Sequence, residues 1–427
     1  MTDLCLINPP RPYLVNPHAQ APLGLLYVAA AVERAGYTVR IANLAGQKHA
    51  SLRNVPPTAK VYGITGTHLD LVMVKALASH LKRVDYKCRI VVGGPISMSN
   101  EVHCDDIDAV FQGEADGCAE LIMTDSDKRT ITCGSPPEPD VIGMPARHLW
   151  PGPFGGNVFI GQQNYQGGGS TTIMSSRGCP HSCAFCASAA LCNRNVRLYE
   201  PASVVAEMEE CVTRYGVSQF RFSDEFFTAN RDHVHSICTE IRNSPTLGYG
   251  HDIAWRASVA VKPHSLDMFR HMADAGCREV AFGVETADPD VLYSITRKGT
   301  VDDAYAALAT AKKAGLKTRA LMMTGLPGET AKTFWHNLKF FADAQFDALA
   351  LAVFTPFPGC EIARNPKKFN CEILPEQTRQ SVCLYARDGT INANPRIRIE
   401  GMSDADFHEH IERTITAARS TGRLGKG

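Results

Sequence analysis

Ser175-Ser176-Arg177-Gly178-Cys179-Pro180-His181-Ser182-Cys183-Ala184-Phe185-Cys186 is the stretch on which the reading of the chain turns. Its cysteines follow the spacing C-x3-C-x2-C, close enough for one tight loop, and Gly178 and Pro180 favour a turn at its entry. Three thiolates can hold three irons of a four-iron cubane and leave the fourth without a protein ligand. Electron-transfer clusters are usually closed by four cysteines, so an open iron points to catalysis. A zinc loop is the alternative, but it needs a second ligand pair at comparable spacing, and none is evident downstream. The expected metal ligands are Cys179, Cys183 and Cys186.

The 427 residues suggest two or three domains, and 44% hydrophobic with 21% charged residues is an ordinary globular balance. Lys+Arg and Asp+Glu both number 44, so net charge gives no footprint for nucleic acid or an acidic membrane. The first residues lack a signal peptide's basic and apolar regions, and no apolar run reaches membrane-spanning length. Fifteen cysteines without framework spacing suit a reducing cytoplasm better than a secreted disulfide scaffold. Most of the others, such as Cys88 and Cys277, read as inert core thiols.

Ahead of the cysteine loop, apolar runs at 4–7, 38–44, 61–66, 89–92 and 109–113 read as strands. Residues 24–36 and 69–84 carry apolar spacing of helical period. Gly36 is a good stop for the first helix, and Lys82 and Arg83 suit the last turn of the second. Alternating strands and helices imply a parallel, Rossmann-like sheet whose ligands sit beyond the carboxyl ends of the strands. The loops in that place are 8–16, 65–68, 93–97 and 113–116. Residues 130–169 are proline- and glycine-rich and read as a connector.

Six further β-like runs follow, at 171–175, 219–223, 253–259, 279–284, 317–324 and 348–354. Helical stretches separate them, among them 202–215, 266–275, 302–314 and 333–344. Six βα units suggest a partial TIM-like barrel, with chemistry at the carboxyl ends of its strands. Polar motifs fall there. Asp224 and Glu225 end the second strand, Arg256 lies in the third, Glu285 ends the fourth, and Thr324-Gly325-Leu326-Pro327-Gly328-Glu329-Thr330 follows the fifth. Asp224 and Glu225 could instead cap the next helix, Glu285 could be structural, and the glycine-rich segment could be only a tight turn. Residues 403–418 read as an amphipathic helix capped by Ser403.

In these motifs the chain resembles the radical S-adenosylmethionine (SAM) superfamily. The cysteine loop, Phe185 before its last cysteine, the G-x-E-T element at Gly283 to Thr286 and the G-L-P-G-E turn carry the resemblance. It implies one 4Fe-4S cluster whose open iron is chelated by SAM, and reductive cleavage of SAM to a 5′-deoxyadenosyl radical. It also implies SAM contacts at Asp224 or Glu225 and at Glu285, while Arg256 reads as binding a SAM or substrate carboxylate or only an acid at the edge of the core. Residues 3–150, with N-P-P, P-L-G-L-L-Y-V-A-A, G-G-P and G-E in order, resemble the cobalamin-binding domain of one class of that superfamily. The implied cobalamin contacts are Thr65, Thr67, Gly93, Gly94 and Pro95. The D-x-H-x-x-G motif that ligates cobalt is missing, because Asn8-Pro9-Pro10-Arg11 follows the first strand, and His18, His49 and His68 lack its context. Its absence neither excludes nor supports cobalamin.

The expected organisation is a cobalamin-type Rossmann-like domain at 1–145 and a linker at 146–170. A partial (βα)6 barrel at 171–365 and a small helical C-terminal region at 366–427 follow. The expected reaction is hydrogen abstraction from an unactivated carbon followed by cobalamin-dependent C-methylation of a small molecule or peptide. The alternative is cobalamin-independent dehydration or rearrangement of a sugar-type intermediate, with the first domain as scaffold. A redox- or cobalamin-sensing protein is the non-enzymatic reading, and the SAM-pocket motifs argue against it. Cys192 and Cys360 are candidate hydrogen donors to a substrate radical, each set against an inert-thiol reading. The expected partner is an external electron donor such as flavodoxin or ferredoxin, with no nucleic acid and no membrane.

Overall fold

The computed structural model describes all residues except 1, 15–16, 18–19, 48, 50–54, 56–57, 125–127, 135–136, 157, 161–167, 193, 249–251, 375–392 and 426–427. His18 and Cys383 therefore lie outside the described residues. The chain divides into two compact units, Met1–Gly156 and Asn157–Gly427. Among the described residues no helix is long and apolar enough to cross a membrane.

The first unit runs β1 (Thr2–Asn8), α1 (Leu23–Arg34), β2 (Val39–Asn43), β3 (Ala59–Thr65), α2 (Leu71–Val84), β4 (Arg89–Gly93), β5 (Ala109–Gln112), α3 (Ala119–Met123), β6 (Thr130–Thr132) and α4 (Pro139–Ile142). Its sheet is parallel, in the order β2-β1-β3-β4-β5-β6. Side chains alternate across it: Leu4 and Leu6 pack with Leu25, Ala29 and Val32, whereas Cys5 and Ile7 pack with Leu71, Val74 and Leu77. The helix stop at Gly36 is realised at φ +88°, with the Gly36 and Tyr37 amides donating to Glu33 and Val32. Strand β6 falls inside the stretch that reads as connector, because three residues, Thr-Ile-Thr, are too short to show a period. Residues 146–150 are packed rather than extended: the Ala146 amide donates to the Leu26 carbonyl, and Trp150 is buried against Ala21 and Leu26.

The second unit begins with β7 (Gly169–Ile173), β8 (Ser176–Arg177), α5 (Ser188–Leu191), β9 (Arg197–Leu198), α6 (Pro201–Tyr215), β10 (Val217–Phe222), α7 (Arg231–Asn243), β11 (Ala254–Val259) and α8 (Leu266–Asp274). It continues with β12 (Cys277–Glu285), α9 (Pro289–Ser294), α10 (Val301–Lys313), β13 (Lys317–Thr324), α11 (Ala331–Asp343), β14 (Ala348–Val353), α12 (Glu361–Arg364), β15 (Cys371–Ile373), β16 (Ile397–Ile399) and α13 (Asp404–Ser420). Its main sheet has six parallel strands in the order β14-β13-β12-β11-β10-β7, a half-barrel. The segment 158–160 is buried, with Val158 and Phe159 against Ala254 and the Ile160 amide donating to Glu279 (2.7 Å). Ser403 caps α13. Beyond α13, Leu349 of β14 exchanges backbone hydrogen bonds with Arg423 and Gly425. The C-terminal region adds an antiparallel pair, β15 with β16, to the expected helix.

Candidate active site

The cysteine loop leaves the end of β7 and is pinched at its base by an antiparallel ribbon, Ser176 opposite Leu198 and Arg177 opposite Arg197. Gly178 makes this pinch possible. It sits at φ +94°, and a Cβ there would lie 1.9 Å from the Asn195 carbonyl oxygen. Three further contacts hold the loop. The Ala184 amide donates to Ile295 (2.9 Å), the Ile362 amide to Ala184 (3.0 Å) and the Thr296 hydroxyl to Ser182 (2.7 Å). Cys179, Cys183 and Cys186 are all half-buried on this one loop. Burial pushes the Cys179 and Cys183 thiols up, and Arg297 acts in the opposite direction. Three soft sulfur donors, one with a guanidinium beside it, fit an iron–sulfur cluster. Among the described residues no three His, Cys, Asp or Glu side chains gather as a single ion would require.

The two adjacent carboxylates diverge. Asp224 is buried, and both its oxygens are taken by the loop's stem: the Ser175 amide (3.2 Å), the Ser175 hydroxyl (2.7 Å) and the Ser176 hydroxyl (2.6 Å) donate to it. Burial pushes its carboxyl up to about 6, against the lowering effect of those donors. Glu225 is exposed, accepting from the Gly178 amide (3.2 Å), with the Cys192 thiol at 3.7 Å. Sequence gives these neighbours one role; the structure gives Asp224 to the stem of the loop and leaves Glu225 exposed beside Gly178.

Glu285 ends β12 at φ +66°, a left-handed conformation unusual for a side-chain-bearing residue, where the register with β13 breaks. Burial raises its carboxyl to about 7, and Arg297, with Nε 3.8 Å away, pulls it back. Arg256 points elsewhere. It pairs with the buried Glu279 (3.5 Å), which also holds Arg319 (3.0 Å) and the Ile160 amide, in the N-terminal half of β12. Of the partners the sequence left open to Arg256, a SAM or substrate carboxylate or an acid at the edge of the core, it meets an acid, Glu279. Cys360 is likewise no open thiol: it is 0% exposed, and its sulfur caps α12 by accepting from the Ala363 amide. The G-L-P-G-E turn is held from within, because buried Glu329 accepts from the Gly325 amide (2.8 Å) and meets His410 Nε2 of α13 (3.0 Å).

In the first unit, the sheet order reverses at β1, and ligands bind at such switch points. The loop after β1 is fixed there by buried Asp70, which accepts from Tyr13 (2.5 Å), Arg11 Nε (3.2 Å) and the Thr67 amide (2.7 Å) and hydroxyl (3.0 Å). Thr67 is thus committed to a capping box. Gly94, at φ +85°, brings the loop after β4 against Thr65, whose Oγ1 would lie 2.9 Å from a Cβ. Pro95 is exposed and opens a short 3₁₀ turn, Gly93 closes β4, and Ser97, 1% exposed, leaves its buried hydroxyl without a protein partner. A close backbone approach with an orphaned hydroxyl beside it fits a polar ligand such as the nucleotide tail of cobalamin. His49 is exposed, and His68 lies in the 3₁₀ turn before α2. Sequence reasoning missed Arg297, His410 and the Arg11–Tyr13–Asp70 set, since none belongs to a local motif.

A model of the radical SAM superfamily matches residues 173–341. An uncharacterized methyltransferase of Pyrococcus horikoshii is 28% identical over 371 residues, 80% of this chain and 77% of that protein. The anaerobic magnesium-protoporphyrin IX monomethyl ester cyclase of Rubrivivax gelatinosus is 30% identical over 184 residues, which are 43% of this chain and 32% of the cyclase. Among solved structures, the radical SAM methyltransferase TsrM of Kitasatospora setae, with cobalamin and a [4Fe-4S] cluster bound, superposes with a TM-score of 0.67 at 18% identity. The match covers 99% of this chain and 89% of that one and shows a shared fold.

Proposed function

Because this chain carries a radical SAM superfamily domain over residues 173–341 and is a radical SAM enzyme similar to cobalamin-dependent methyltransferases, we propose that it C-methylates a small-molecule substrate at an unactivated carbon. The observation that carries the reading is the loop with three half-buried thiols at the strand ends of a half-barrel, with Glu225 and Glu285 beside it. When bound, the cluster with SAM supplies a radical that abstracts hydrogen, and cobalamin supplies the methyl group. Cys179, Cys183 and Cys186 hold the cluster. Glu225 and Glu285 take the polar groups of SAM, and Asp224 holds the stem of the loop. Arg256 serves the barrel through Glu279. The loop after Thr65, braced by Thr67 through Asp70, and the loop from Gly93 to Pro95 would hold cobalamin. An external low-potential carrier, flavodoxin or ferredoxin, provides the electron. Supplying SAM with a deuterated methyl group, under anaerobic reduction and with small molecules from a cell extract, tests the reading. A product that gains the label, with S-adenosylhomocysteine formed beside 5′-deoxyadenosine, supports it. An unlabelled product that has lost water overturns it in favour of radical dehydration, in which Cys192 beside Glu225 is placed to return a hydrogen.

A further inference from the structure

Arg297 stands outside every motif, yet it touches both the cysteine loop and the end of β12. Its Nη2 donates to the Gly283 carbonyl (2.6 Å), its Nε lies 3.8 Å from Glu285, and its positive charge lowers the Cys183 thiol against the raising effect of burial. Gly283 leaves room for this arrangement: a Cβ there would lie 2.5 Å from Glu285 Oε1 and 3.1 Å from Arg297 Nη2. The turn that carries Arg297 is itself fastened to the loop, through Ile295 to Ala184 and through Thr296, at φ +54°, to Ser182. The side chain is 13% exposed, so its charge is weakly screened.

We propose that Arg297 is a positioning residue that sets the reduction potential of the cluster by placing a fixed positive charge beside Cys183, with Glu285 as the opposing charge. The inference rests on the cluster reading given above. Reduction adds one electron, from an external low-potential donor, to the cluster and its thiolates. A nearby cation stabilises the reduced state and raises the potential; a nearby carboxylate lowers it. Arginine suits the place because it stays charged when buried, and its planar fork serves the Gly283 carbonyl and Glu285 together.

The test uses the full chain reconstituted anaerobically with iron and sulfide. Iron is assayed, and the cluster is titrated with dithionite at pH 8, without SAM, under electron paramagnetic resonance. R297Q is expected to shift the midpoint to a more negative value at wild-type iron content, R297K to restore most of it, and E285Q to shift it positive. Coincident potentials in wild type and R297Q, or an R297K potential as low as that of R297Q, overturn the inference. Should R297Q take up no iron, E285Q decides, and an unchanged or lower potential in that variant overturns it. A wild-type chain without iron overturns the cluster reading and this inference together. Iron present with coincident potentials overturns this inference alone.

Discussion

The Asp224 carboxylate accepts hydrogen bonds from both the amide and the hydroxyl of Ser175, a residue 49 positions earlier at the root of the cysteine loop. The end of β10 thereby fixes the direction in which the chain leaves β7. An acceptor-only group suits this place, because the Ser175 amide and the Ser175 and Ser176 hydroxyls all donate to it. Asp224→Asn turns one oxygen into an amide nitrogen that faces those donors. It is expected to cost about 1–3 kcal/mol of stability, read from urea unfolding of the cluster-free chain. A variant as stable as the wild type would show that the stem does not depend on the charge.

Gly178→Ala is expected to abolish cluster uptake. The new methyl group would meet the Asn195 carbonyl, and the backbone at φ +94° adds about 1–2 kcal/mol of strain. Iron assay after reconstitution checks it, with circular dichroism to confirm that the barrel persists. Iron content equal to that of the wild type would mean the ribbon opens without consequence.

The Glu285 carboxyl titrates near 7 in the folded chain and near its ordinary 4.5 when unfolded. The folded chain therefore keeps a proton that the unfolded chain releases. This stabilising contribution is complete below about 4.5 and is lost as pH rises towards 7. Glu285→Gln removes it, so the wild type should lose stability relative to the variant between pH 4.5 and 7, with a level difference above. Urea unfolding of the two cluster-free proteins across that range decides the matter. A difference that does not vary with pH contradicts it.

His410→Ala removes the partner of a fully buried carboxylate on the G-L-P-G-E turn. Glu329 keeps the Gly325 amide and loses its hydrogen-bond partner on α13, at a cost of about 1–3 kcal/mol. The loss should appear as a lower thermal midpoint. His408→Ala, on the same helix but facing Glu412 at the surface, should cost well under 1 kcal/mol. Equal effects from the two substitutions would remove any special role for the Glu329–His410 pair.

Hydroxocobalamin incubated with the chain should co-elute and show an optical spectrum that is unchanged in His49→Ala and His68→Ala. Neither of those two described histidines stands in the cobalt-ligating motif. A spectrum that shifts in either variant would place that imidazole on cobalt.

The half-barrel was legible because its strands are apolar runs at regular spacing, and the first sheet because its helices stop at glycine and basic residues. The cysteine loop was legible because its three thiols are close in sequence. What sequence could not supply were partners chosen across long separations. Asp224 and Glu225 are adjacent and chemically alike, yet one faces Ser175 and the other the Gly178 amide and solvent, a split that only the packing of the loop against β10 decides. Glu329 meets a histidine 81 residues later, and Arg256 is claimed by Glu279 from the next strand. Cys360 resembled a reactive thiol by position, while its neighbours bury it as a helix cap.

The six-stranded sheet ends at β7 on one side and at β14 on the other, where Leu349 pairs with Leu424. Eight strands would close such a sheet into a ring of fixed bore; six leave an arc with a flank. The two edges of that arc are free of the closure that fixes a full barrel's bore, while the thiols and carboxylates sit at the strand ends. An arc that does not close can change its width by the spread of its edge strands, a freedom that a closed ring of eight lacks.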